Sequence, residues 1–154
     1  MSGLYLVVWD DNAETLGPVL QPTTGGWPHA TIFYSGELIP RHDLVRLASI
    51  AMVGYTLEKV TLTRAYVNSF QLGGDGDWRH DCLLELDPTT TAAIEDMRKT
   101  VVKTLVSTEV YDQLAMRTPH VTVGCHASKE ACEAHVQHVN TLLPRTVDVN
   151  GWTF

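Results

Sequence analysis

The sequence predicts an α+β fold in which helices cover one side of a largely antiparallel sheet. Three observations point there. Short apolar runs rich in β-branched and aromatic residues recur between turn signals and read as strands. Other segments carry apolar residues at helical spacing. One strand-opening pattern occurs twice, as Pro28-His29-Ala30-Thr31 and Pro119-His120-Val121-Thr122, in similar surroundings. The chain has 154 residues, which fits one domain, and no low-complexity stretch or linker divides it.

The elements follow in order. Leu4-Tyr5-Leu6-Val7-Val8-Trp9 is an almost unbroken apolar run closed by Asp10-Asp11-Asn12, and reads as a buried strand. Gly17-Pro18, Pro22 and Gly25-Gly26 then allow a short helix at most, followed by a loop. Strand character returns from Trp27 to Ser35. Beyond Pro40, the residues Leu44, Leu47, Ala48, Ala51 and Met52 have helical spacing, and Gly54 is a stop. Leu57 to Phe70 is strand-like, Gly73-Gly74-Asp75-Gly76-Asp77 is a turn, and Asp81 to Leu86 is the next strand. Asp87 or a neighbouring Thr caps a helix that runs to about Val106. A strand from His120 to Cys125, a Ser-capped helix over 128–143 and a last strand from Arg145 to Phe154 complete the chain.

Composition narrows the function. Eleven Lys and Arg against eighteen Asp and Glu give a formal charge of −7, which argues against tight gripping of long DNA or RNA. A small nucleotide or short oligonucleotide, which needs only a local site, remains compatible. The Leu4–Trp9 run is too short for a membrane span or a signal core. The expectation is a cytoplasmic monomer without a membrane partner. Three cysteines (Cys82, Cys125, Cys132) in no Cys-x-x-Cys spacing suggest neither a disulfide framework nor a four-thiolate zinc site. Cys125, His126, Cys132, His135 and His138 crowd together, but their spacing matches no familiar zinc pattern, so no metal and no cofactor is expected.

The repeated pattern carries the chemistry. Proline belongs at the first residue of a strand, and past it side chains alternate faces. His29 and Thr31 therefore share one face while Ala30 and Ile32 take the other, and His120 and Thr122 repeat this with Val121 and Val123 behind. A strand precedes each motif and a helix and strand follow it, so the two halves read as diverged copies. About a pseudo-two-fold axis, the two His-x-Thr pairs would face each other across one cleft. Two imidazoles and two hydroxyls suit a phosphodiester. The hydroxyls hold non-bridging oxygens, while one ring serves as base and the other as acid, because an imidazole changes charge near neutral pH.

Two His-x-Thr motifs on strands, one in each half of a small α+β chain, resemble the 2H phosphoesterase superfamily. That group includes 2′,3′-cyclic nucleotide phosphodiesterases and 2′-5′ RNA ligase-like proteins, some of them acting in RNA processing. The resemblance spans nearly the whole chain. It implies a bilobal fold of antiparallel sheets around a central cleft, with helices outside. It also implies a hydrolase with His29 and His120 as acid/base pair, Thr31 and Thr122 as phosphate donors, and no obligatory metal.

Softer candidates surround these four. Trp27 and Trp78 could stack a base, and Arg117 or Arg79 could reach phosphate. Tyr34 is a further candidate substrate contact, although strict alternation puts it out of phase with His29 and Thr31. For each of these the bland reading, packing or solvated charge, stands beside the functional one. Tyr5 could border the cleft, and His126 reads as a surface residue. The function expected is hydrolysis of a 2′,3′-cyclic phosphate or a small 2′-linked nucleotide. The alternatives are a virus-type enzyme that degrades 2′,5′-linked or cyclic oligonucleotide signals, and a non-catalytic nucleotide-binding module.

Overall fold

The computed structural model describes residues 2–9, 28–36, 40–105 and 118–153. Their order is β1 (Ser2–Trp9), β2 (His29–Gly36), α1 (Arg41–Ala51), β3 (Lys59–Gln71), β4 (Trp78–Leu86), α2 (Pro88–Leu105), β5 (His120–His126), α3 (Lys129–Asn140) and β6 (Arg145–Thr153). The patterning located these nine elements, with ends displaced by a few residues. The loop and short helix expected over 11–26 lie outside the described residues.

Local chemistry explains the helix starts. Asp87 caps α2, accepting from the Thr90 backbone N–H at 3.0 Å and from the Thr90 hydroxyl at 2.5 Å, and Pro88 occupies the first helical position, where its missing N–H costs nothing. Ser128 caps α3 by accepting from the Ala131 N–H at 3.3 Å. Apolar spacing then fixes what each helix buries. Leu44, Ala48 and Met52 line one side of α1 and its C-cap, and Ile94, Met97 and Val101 line one side of α2. These side chains join Ala30, Ile32, Phe33, Leu62, Leu84, Val121 and Val123 in one core. Each such burial of a large side chain contributes about 1.5–3 kcal/mol.

The strands form a single antiparallel sheet in the order β1-β2-β5-β4-β3-β6, and β6 returns to pair with β1. This corrects the expectation of separate sheets around a cleft: hydrogen bonding between β2 and β5, and between β3 and β6, joins the halves into one curled sheet. The halves are still related. Exchanging β1 with β4, β2 with β5 and β3 with β6 carries the strand order onto itself. The helices α1 and α3 each follow a motif strand. Since the three helices pack on the Ala30–Val121–Leu84 face, that face is the outer one. The opposite face therefore turns inward, and it stays open to solvent where His29 and Thr122 are exposed.

Candidate active site

Ala30 pairs with Val121 across the β2–β5 seam, and both are fully buried on the helix-covered face. Antiparallel register then fixes their neighbours: His29 falls opposite Thr122, and Thr31 opposite His120. All four motif side chains therefore share the inward face of two adjacent strands. His29 and Thr122 are exposed, Thr31 and His120 half-buried. The sequence led us to expect pairs facing each other across a cleft; instead they lie side by side, with the pseudo-dyad passing between Ala30 and Val121. Directly opposed residues come within about 5 Å at Cβ, and diagonal ones within about 7–8 Å. The histidines occupy one diagonal and the threonines the other.

Both motif strands break alternation at the same place. On β2, Thr31 pairs with Tyr5 but Phe33 pairs with Leu4, which leaves Ile32 as an extra residue. On β5, Thr122 pairs with Leu83 but Gly124 pairs with Cys82, which leaves Val123 as the extra residue. In each strand the bulge follows the motif threonine directly, and the residue after it is buried as well: Ile32 with Phe33, Val123 with Gly124. A bulge shifts the phase of everything beyond it. Tyr34 pairs with Gly3 of β1, and its side chain lies outside the described residues.

The first bulge is held from behind. Arg98 of α2, only 7% exposed, donates from Nε to the Ile32 carbonyl at 2.6 Å and from Nη2 to the Thr31 carbonyl at 2.8 Å. A bulge leaves such carbonyls outside the regular ladder, and a buried acceptor needs a donor. Sequence reasoning missed Arg98, whose place between Met97 and Val101 on the buried side of a helix was the available signal. The second bulge is crowded instead. A Cβ at Gly124 would meet the His135 ring at 2.6 Å, so only glycine lets that imidazole approach.

His120 has a defined orientation. Its Nδ1 lies 2.8 Å from the Thr118 carbonyl, which can only accept, so Nδ1 carries a proton and Nε2 is left for chemistry. Beside it on β4 stands Glu85, its register partner, and Leu83 occupies the same position relative to Thr122. Leu83 is buried on the inward face and forms part of the floor.

The remaining candidates divide. Arg79 shares the inward phase of Asp81, Leu83 and Glu85. Trp78 has the opposite phase, that of buried His80 and Cys82, and sits at the hairpin end with 56% exposure, away from the motif rows. Trp27 and Arg117 lie outside the described residues. Tyr5 holds the register position opposite Thr31.

The Cys/His crowd is taken apart by the fold. Cys132 is in the core and His138 is exposed, while His126 Nε2 and His135 Nδ1 are hydrogen-bonded to each other at 3.0 Å. Burial pushes the Cys82 thiol up to about 12, helped by neighbouring Cys132 and Asp81. Among the described residues no group of three or more His, Cys, Asp or Glu could hold a metal ion, and no helix is long and apolar enough to cross a membrane. No protein-family model matches the chain, and no curated protein matches it.

Proposed function

We propose that this chain is a metal-independent phosphodiesterase of the 2H type, acting on a 2′,3′-cyclic phosphate or a small 2′-linked nucleotide. One observation carries the reading: the β2–β5 register puts two imidazoles on one diagonal and two hydroxyls on the other, on a single inward face. A phosphoryl group seated at the centre has a ring on each side of phosphorus and a hydroxyl toward each non-bridging oxygen. His120 Nε2 takes a proton from water as its oxygen bonds to phosphorus. His29 delivers a proton to the departing ribose oxygen as the second bond breaks. The net change is one water consumed, one monoester and one free hydroxyl formed. Each positioned proton transfer contributes typically about 10²–10⁴-fold.

The pseudo-two-fold strand order, with its matching bulges, also supports a 2H-type bilobal arrangement. The test is a chromatographic panel of 2′,3′-cyclic mononucleotides, 2′,5′-linked oligonucleotides and cyclic oligonucleotides, with His29→Ala/His120→Ala as the control. Turnover of at least one class, abolished in the control, is expected. Binding without turnover by the native chain points to a non-catalytic nucleotide-binding module instead.

A further inference from the structure

Glu85 is the cross-strand partner of His120, and Arg64 of β3 is the cross-strand partner of Glu85. The three residues form one row over three strands on the inward face. Arg64 Nε donates to Glu85 Oε2, and the guanidinium also lies over the Tyr66 ring, 5.2 Å from its centroid. We infer that this ion pair sets the proton affinity of His120: Glu85 raises it, and Arg64 holds that rise in check.

The physical basis is short range. A nearby carboxylate favours the charged form of an imidazole, and direct register opposition brings the Glu85 and His120 Cβ atoms within about 5 Å. Glu85 acts through space and does not take over the ring proton, because Nδ1–H already donates to the Thr118 carbonyl. The Arg64 and Glu85 side chains are 62% and 40% exposed, so solvent and salt weaken the effect. Other charges around His120 are His29 across the seam, Asp81 two same-face positions from Glu85 along β4, and Arg98 behind Thr31. Lys59 and Asp148, which also sit on β3 and β6, pair with each other at 3.4 Å. None of these is altered by changing Arg64 or Glu85. For the proposed hydrolysis, on which only the purpose of this proton rests, Glu85 stabilises the imidazolium that forms when water is deprotonated.

The test reads the ring directly. In the full chain, an NMR pH titration of the His120 ring protons gives its midpoint, with the His29 ring as internal control. Glu85→Gln should lower the His120 midpoint by about half a pH unit, and Arg64→Met should raise it by a similar amount. Both shifts should shrink in high salt, and His29 should move less. A structural disturbance would not produce opposite signs. Shifts of the same sign in both variants, or midpoints that do not move, overturn the inference. Opposite shifts in a chain that turns over no phosphodiester uphold the coupling and overturn the proposed hydrolysis instead. In an active chain, the acid limb of kcat/KM should follow the same displacements.

Discussion

His29 stands directly opposite Thr122 across the β2–β5 seam, so the hydroxyl nearest each motif ring belongs to the other half of the chain. Neither half holds a working imidazole–hydroxyl pair by itself. The four groups depend on one short stretch of pairing, centred on Ala30 and Val121, and any change that slips this register moves them all.

Removing one ring should cost far more than removing one hydroxyl. His29→Ala or His120→Ala should each lower kcat by about 10²–10⁴-fold. Thr31→Ala or Thr122→Ala should cost less, because water can replace a neutral donor in part. A double-mutant cycle should show stronger coupling for His29 with Thr122 than for His29 with Thr31. A folded His29→Ala or His120→Ala variant with near-native turnover would exclude the paired-ring mechanism.

Arg98 should matter to both stability and rate. In Arg98→Met the Thr31 and Ile32 carbonyls lose buried donors, and denaturant unfolding should show about 2–4 kcal/mol of lost stability. Arg98→Lys, which can restore one bond, should lose less. At a temperature where both variants are folded, kcat should fall more than KM rises if, as proposed, the bulge orients Thr31 toward a substrate phosphate. A stability loss with unchanged kcat would confine Arg98 to a structural role.

Much of this was legible in the residues themselves. Strand runs such as Leu4–Trp9 and helical spacing such as Leu44, Ala48 and Met52 reflect burial on one face, which is a local property of sequence. The His-x-Thr phase was legible for the same reason, since alternation alone places His29 with Thr31. Pairing was not. That β2 joins β5 depends on contacts between residues about ninety positions apart, and nothing near His29 encodes it. The bulges were half-visible: Ile32-Phe33 is a double apolar step that strict alternation cannot bury on one face. Arg98 and Glu85 were hidden because their roles exist only once α2 lies behind β2 and β4 lies beside β5.

Mild acid should destabilise the fold through α3. Burial, with the neighbouring His126 and His138 rings, holds the His135 imidazole below the usual histidine range. Its folded affinity for protons is therefore lower than that of the unfolded chain, whose value is about 6.5. The stability it contributes is present above that pH and is lost as pH falls below it. The Tm should drop between pH 7.5 and pH 5.5, and drop less in His135→Gln. An equal drop in both proteins would remove His135 as the cause.

Chelation should leave turnover nearly unchanged, because imidazole and hydroxyl groups provide both the proton transfers and the oxygen contacts of the proposed step. Loss of activity in EDTA, restored by a divalent ion, would overturn that mechanism.

The direction of proton flow gives the most discriminating test. His120 keeps a proton on Nδ1 through the Thr118 carbonyl, which leaves Nε2 as an acceptor when the ring is neutral and suits it to deprotonate water. In the proposed reaction His29, across the diagonal, protonates the departing oxygen. One ring must be neutral and the other charged, so kcat/KM against pH should be bell-shaped. A substrate analogue whose leaving oxygen needs no proton bypasses the acid but not the base. It should rescue much of the loss in His29→Ala and little of the loss in His120→Ala. Rescue confined to His120→Ala would reverse the roles and make the Nδ1 contact incidental to catalysis. Failure in both variants would mean that the rings act on phosphate chiefly through charge, and activity should then fall steadily as pH rises past their titration, with no acid limb.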